Sequence, residues 1–311
     1  MIEMPIEEYL ADPNPEPSFD SSTAWTLITR SPRHAQYEHP KLNPSRESDR
    51  SNAMDMGCAC HALFLEQDES RFVVIEADDW RTKAAKEARD QAYADGMIPL
   101  LAKQHEEACK IVEQSLLAIK RCTELADLAP IQEHPLAEQV CLWQEQGTWC
   151  KARPDLVSAD RKVVLNYKTT KANADPESFG TGMLIRSGYH VQAYHHARGV
   201  QAEAGESIDC VWLIQEVEPP YAASILGMSP ALHQLAESQW LHALGLWREC
   251  LRTNQWPAYP SRVCWIEPPP WMLDRWGGRT PSPNSETVGA NVDCTEFDEC
   301  VAAAMESQRP L

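Results

Sequence analysis

The chain has 311 residues, a net charge of −18 and a hydrophobic content of 43% that includes 11 Trp. That length bounds one large domain or two small ones with a sizeable core, and the apolar content excludes wholesale disorder. The acidity argues against a broadly basic coat, though not against positive charge confined to one channel. No run is long and apolar enough to cross a bilayer. The acidic, Pro-broken start MIEMPIEEYLADPNPEP lacks the basic and apolar regions of a secretory signal. Eleven Cys, odd in number and irregularly spaced, read as reduced thiols of a cytoplasmic protein.

In chain order, residues 1–19 read as a flexible or loosely docked arm. A first helix begins near Ser21 or Ser22, either able to cap it, and ends before Pro32 with Trp25, Leu27 and Ile28 for burial. Residues 38–52 are a polar loop, and Ala53–Glu66 is helical, with Gly57, His61 and Leu65 on one stripe. A lone His among Ala, Leu and Phe is ordinarily a core histidine; Gly57, one turn earlier, leaves space over the imidazole where a ligand could sit. Residues 71–77 form a strand and residues 81–94 a helix, and Pro99 starts a long amphipathic helix. Glu138–Glu145 is the first strand of a meander. Pro176 opens a helix to about Arg186, and Gly188–Gly199 starts another. Cys210–Gln215 and Tyr221–Leu226 pair antiparallel, and Ser229 with Pro230 caps a helix running to about Arg252. Residues 277–294 read as flexible, and a short helix at Thr295–Met305 as a docking or oligomer contact.

The organising stretch is Gly147–Thr170, read as two strands joined by a polar turn. Cys150, Ala152, Pro154, Leu156 and Ser158 share one face of the first strand; Lys151, Arg153, Asp155 and Val157 share the other. If Ser158 and Val163 close the loop Ala159–Lys162, antiparallel pairing sets Asp155 opposite Asn166, with Cβ atoms roughly 5 Å apart. Lys168 lies on the same face. A carboxylate, a second oxygen ligand and an ammonium then converge, a seat for a hard cation with a phosphate beside it.

Pro154-Asp155 followed by Asn166-Tyr167-Lys168 resembles the PD-(D/E)xK nuclease signature, with Asn166 where Asp or Glu normally stands. The Gly57, His61, Leu65, Glu66 helix resembles that of the RecB-like and exonuclease VIII (RecE-like) branches, relatives also of lambda exonuclease. The Gly188-Tyr189-His190-Val191-Gln192 string is similar to the family's helix after the catalytic Lys. There Gln192 matches, while His196 occupies the position of the family's Tyr. The resemblance covers roughly residues 20–260, ending on Trp256-Pro-Ala-Tyr259, with residues 261–311 as a C-terminal extension.

The resemblance implies an α/β PD-(D/E)xK, restriction-endonuclease-like core: a central mixed sheet with a β-meander, flanked by helices. It implies hydrolysis of DNA phosphodiesters with Mg²⁺ (or Mn²⁺) held by His61, Asp155, Asn166 and the Tyr167 carbonyl. Lys168 would orient water, with Gln192 beside the substrate. Glu138 matches an upstream acidic position or is a solvated strand-end residue. Lys151, Arg153, Thr169, Lys171, Arg186 and Gln192 would contact DNA. The implied activity is 5′-to-3′ degradation of duplex ends by a ring-shaped trimer or tetramer, leaving 3′ strands for a RecT-like annealing protein. Asn166 removes one negative charge from the ligand set, as in an engineered inactive form or a natural homologue with weakened catalysis. Roles for His195 and His196 stay open. The alternatives are a non-catalytic DNA-binding or assembly module and a Cas4-like or defence endonuclease. An iron–sulfur staple on Cys250, Cys264, Cys294 and Cys300 lacks the usual close spacing.

Overall fold

The structure is a computed structural model that describes residues 1–46, 55–65, 69–128 and 136–276. Along the chain come helices α1 (Ile6–Leu10), α2 (Ser21–Thr29), α3 (Pro32–Glu38) and α4 (Asp55–Leu65), then β1 (Phe72–Ile75), α5 (Lys83–Ala94), β2 (Ile98–Leu101) and α6 (Ala102–Arg121). The meander strands β3 (Cys141–Glu145), β4 (Thr148–Ala152), β5 (Leu156–Val157) and β6 (Val163–Thr170) follow. After the short α7 (Pro176–Ser178) come α8 (Tyr189–Ala204), β7 (Asp209–Glu216), β8 (Ala223–Gly227), α9 (Pro230–Thr253) and α10 (Pro270–Trp276). Met1–Tyr259 and Pro260–Leu311 form separate compact units.

The main sheet has the order β5-β6-β7-β8. β6 runs antiparallel to β5 and parallel to β7, and β8 runs antiparallel to β7. The parallel pair needs a crossover, and α8 supplies it. Period-2 alternation then sorts β6 between two cores. Val164 joins Trp212 and Ile214 of β7 in a cluster with α2, α8 and α9, including the fully buried Trp240 and Trp247. Leu165 and Tyr167 join Leu213 in a second cluster with α4 and α6. Burying each such large side chain contributes about 1.5–3 kcal/mol. The sheet is thus mixed and helix-covered on both faces, as expected of the fold class.

The sequence's punctuation sets several boundaries. Ser229 Oγ accepts from Leu232 N (3.2 Å) at the start of α9, with Pro230 in the first turn. Asp20, not Ser21 or Ser22, caps α2 through Thr23 N. Ser158 N–H donates to Val163 O (2.9 Å), closing the turn Ala159–Lys162 as expected.

Three expectations are corrected. The stretch before the turn is not one strand: β4 pairs with β3 in a separate sheet, and only Leu156–Val157 pairs with β6, because Pro154 cannot donate to a ladder. Pro99 does not begin a helix; it lies in β2, parallel to β1, and α6 starts at Ala102. The first helix ends before Pro32 as expected, and an unanticipated helix, α3, follows it. Residues 1–19 are fastened rather than loose: Phe19 N–H donates to Trp149 O (2.8 Å), Lys151 N–H donates to Phe19 O (3.1 Å), and Phe19 is fully buried. The expected loop residues 47–52, the stretch 277–294 and the helix Thr295–Met305 lie outside the described residues.

Candidate functional site

The break at Pro154 is what aims Asp155. Extending the β5–β6 register outward by two residues sets Pro154 opposite Tyr167. Instead of a ladder partner, Tyr167 N–H donates to Asp155 Oδ2 at 2.7 Å. The anchored carboxylate meets His61 of α4, Oδ1 to Nε2 at 3.4 Å, and Lys168 of β6, Oδ2 to Nζ at 3.8 Å. On its other side His61 Nδ1 faces Glu138 Oε1 at 3.2 Å, and Arg153 Nη2 donates to Glu138 Oε2 at 2.8 Å. A line of alternating charge therefore runs Arg153, Glu138, His61, Asp155, Lys168.

Glu138 is more than a strand-end residue. Its side chain is only 13% exposed, and its φ of +50° is unusual for a non-glycine residue. Its N–H donates to Asp155 O (3.0 Å), and its carbonyl accepts from Arg153 Nε (3.0 Å). Such a conformation costs about 1–3 kcal/mol and is held here by these two bonds. Burial disfavours charge on His61, yet Asp155 and Glu138 outweigh it and raise the imidazole to about 9. Burial pushes the Asp155 carboxyl up, but Lys168 and His61 more than offset that and hold it well below the usual carboxylate range. At neutral pH the ring is an imidazolium donating from both nitrogens.

Asn166 departs from the expected arrangement. It is fully buried, its Oδ1 accepts from His196 Nδ1 (2.8 Å), and its Nδ2 donates to Val211 O at 3.4 Å. Burial pushes the His196 imidazole down to about 3, so the ring is neutral and Nδ1–H is the donor. The amide thus ties β6 to α8 and β7 rather than offering its oxygen beside Asp155. His195 is a core histidine: Nε2–H donates to Lys151 O (2.8 Å), and Nδ1 accepts from Trp240 Nε1 (2.9 Å).

The proposed DNA contacts divide. Lys151 is 2% exposed; its Nζ donates to Tyr9 O (2.8 Å) and sits 4.6 Å from the Tyr9 ring centroid, so it is buried beneath the N-terminal arm rather than facing substrate. Arg153 is committed to Glu138. Thr169 is half-buried, and its Oγ1 is 3.4 Å from where a Cβ on Gly57 would stand, an ordinary contact distance between β6 and α4. Lys171 and Arg186 are exposed. Gln192 is half-buried on α8, and its Oε1 has no partner among the described residues. The Tyr167 ring stacks on Phe64, 4.3 Å between centroids, and lies 6.1 Å from the His61 ring; with its hydroxyl bonded to Ser115, it has only backbone polar groups to contribute.

Tyr189, which the sequence reading quoted without a role, stands with its ring centroid 5.3 Å from Lys168 Nζ. A cation over an aromatic face is held in place. Its position at the first residue of α8, after Gly188, was the available signal.

Among the described residues, no three His, Cys, Asp or Glu side chains form a ready-made metal cluster. The donors still fit a divalent cation in kind: Asp155 Oδ1 and the Glu138 carboxylate lie on either side of His61, which can ligate through its one unprotonated nitrogen once the ring is neutral. Asn166 is not part of that set. Cys250 is buried and Cys264 exposed, both as free thiols; Cys294 and Cys300 lie outside the described residues.

The family described as PDDEXK-like domain of unknown function (DUF3799) matches residues 21–266, and the chain belongs to it. That places it in the PD-(D/E)xK superfamily, whose nucleases usually use divalent metal ions. A crystal structure of a protein from Eubacterium rectale, provisionally described as an exonuclease, is similar in fold. Its TM-score is 0.56 at 13% identity, over 90% of this chain and 100% of that one. No curated protein matches the chain. Among the described residues, no helix is long and apolar enough to cross a membrane.

Proposed function

We propose that the chain is a DNA exonuclease of the exonuclease VIII type, acting with Mg²⁺ or Mn²⁺ on linear duplex ends, 5′ to 3′. The 3′ strands it leaves would pass to a single-strand annealing protein, and a ring of three or four copies would hold the duplex. The observation that carries this reading is Asp155 standing between His61 and Lys168, brought from a strand junction, a helix and a second strand. His61, Asp155 and Glu138 would hold the cation, which when bound polarises a phosphate and lowers the pKa of water. Lys168 Nζ orients the attacking water and offsets charge developing on the phosphorane. Tyr189 limits where that ammonium can swing. Gln192, its Oε1 buried and unpartnered among the described residues, would have to turn that oxygen outward to reach substrate, and Lys171 and Arg186 meet the phosphates beyond.

Asn166 stands where the signature has a carboxylate, and with its amide bonded to His196 and Val211 it brings no negative charge to the cation, so the activity is weakened. The test is digestion of 5′- and 3′-labelled linear duplex with Mg²⁺ or Mn²⁺. Asn166→Asp is expected to release nucleotides from 5′ ends, with Asp155→Ala in the same background inert. A revertant inert with both ions overturns the reading.

One observation favours a second reading, a DNA-binding or assembly module that retains the nuclease frame. The Asn166 amide is matched at both ends, to His196 Nδ1 and Val211 O, and a carboxylate could not donate to the carbonyl. Duplex-end binding without cleavage in both chain and revertant would establish that module.

A further inference from the structure

β8 closes one side of the main sheet, and among the described residues nothing pairs with its outer edge. Met228 N–H donates to Cys210 O (3.0 Å) and Glu216 N–H to Ala222 O (2.9 Å). The backbone groups of Ser224 and Leu226 therefore face β7, and those of Ala223, Ile225 and Gly227 face outward. Sheet edges are normally guarded by charge, proline or a bulge. Ala223–Gly227 has none of these, and its one polar side chain, Ser224, is engaged with Ala174 O.

Two clefts flank this edge, one on each face of the sheet. On the α6 side, a cleft of 590 Å³ is lined by Ala118, Arg121, Tyr221 and Ile225. On the other side, a 490 Å³ cleft lies between β8 and the π-helical turn Phe179–Leu184, lined by Gly180, Leu184, Leu226 and Leu232. Trp212 forms its inner wall, with an indole N–H that is buried and unpartnered among the described residues. π-Helical turns are rare and concentrate at functional positions. A strand laid along β8 would send alternate side chains into the two clefts.

We infer that β8 is a docking edge for an extended segment of a different polypeptide, added as a further strand. The charge of the clefts selects its sequence. The cleft beside α9 has no charged lining residue, whereas Arg121 in the other is exposed and has no ion pair among the described residues. Glu124, the acid nearest in sequence, accepts instead from Cys122 Sγ and Thr123 Oγ1. The partner segment is apolar at alternate positions on one face and carries an acidic residue on the other. This goes beyond the nuclease reading and does not depend on it.

The probe is a blocked peptide of about ten residues alternating Val and Thr, with one central Asp on the Thr face. It is added to the full chain while backbone amide exchange is followed residue by residue. The expected result is new protection at Ala223, Ile225 and Gly227, with Ser224 and Leu226 unchanged because β7 already pairs them. Ile225→Pro removes an outward donor without touching the β7 ladder; it should abolish binding while leaving the far-UV spectrum intact. Arg121→Glu should weaken the peptide about fivefold and favour a Lys-centred version instead. Two results overturn the proposal. One is peptide binding unaffected by Ile225→Pro. The other is protection of the outward amides that grows with protein concentration alone, which makes the occupant a second copy.

Discussion

Adjacent histidines show how far environment decides chemistry at the scale of one residue. His195 and His196 follow each other on α8, yet one satisfies a core carbonyl and an indole while the other props Asn166. His61 is shifted the opposite way, up to about 9, because carboxylates bracket it. Its folded value exceeds the ordinary 6.5, so its contribution to stability is complete below that pH and disappears as pH rises through about 9. The metal-free chain should therefore lose thermal stability between those limits, and His61→Gln should lose that dependence; differential scanning calorimetry across the range decides it. Cation binding must also displace this proton. Apparent Mn²⁺ affinity should climb about tenfold per pH unit from 7 to 9, then level, and should flatten in His61→Gln when read by titration calorimetry.

Among the elements, α8 carries most of the site's positional information: Tyr189 beside Lys168, Gln192 one turn on, His196 at Asn166. Two glycines let it sit where it does. At Gly188, φ is +73° and a Cβ would stand 2.3 Å from a Trp25 ring carbon; at Gly199 it would stand 2.9 Å from Trp143. Gly188→Ala should destabilise by about 3 kcal/mol in urea unfolding, from the left-handed backbone and the overlap together. Gly199→Ala, with ordinary helical backbone, should cost about 1–3 kcal/mol. A substitution at Gly188 as mild as one on an exposed face would show that Trp25 moves aside. Most elements were legible because their signals are local: the Ser229-Pro230 cap, the apolar stripe of α6, the polar turn before β6. β2 and α3 were not. Four residues with a proline carry no periodicity, and Ile98–Leu101 becomes a strand only because β1 lies alongside.

For the molecule as a whole, 28 Lys and Arg are outnumbered by 46 Asp and Glu, so contact with a polyanion depends on the cations gathered at the site. Five basic residues were expected near the site, but Lys151 and Arg153 are engaged by Tyr9 and Glu138, leaving Lys168, Lys171 and Arg186. Duplex binding should therefore weaken with salt with a logarithmic slope of about −2.7, not the −4.5 of five contacts. Fluorescence anisotropy on the Asp155→Ala chain, where no cleavage interferes, measures it; a slope near the steeper value would return Lys151 and Arg153 to the interface.

The mixed α/β core was expected from the resemblance alone; the sequence by itself determined most helices and strands, the turn that brings Asp155 toward β6, and His61 on a helix stripe below a glycine. Each of these depends on neighbours within a few residues, where periodicity and turn chemistry act. Only the tertiary structure decided that Glu138 enters the site, that Lys151 leaves it, that Asn166 turns to His196, and that β8 keeps an edge unpaired among the described residues. Those outcomes depend on which side chain reaches a buried charge or a free backbone group first. That competition is settled by packing between segments far apart in the chain.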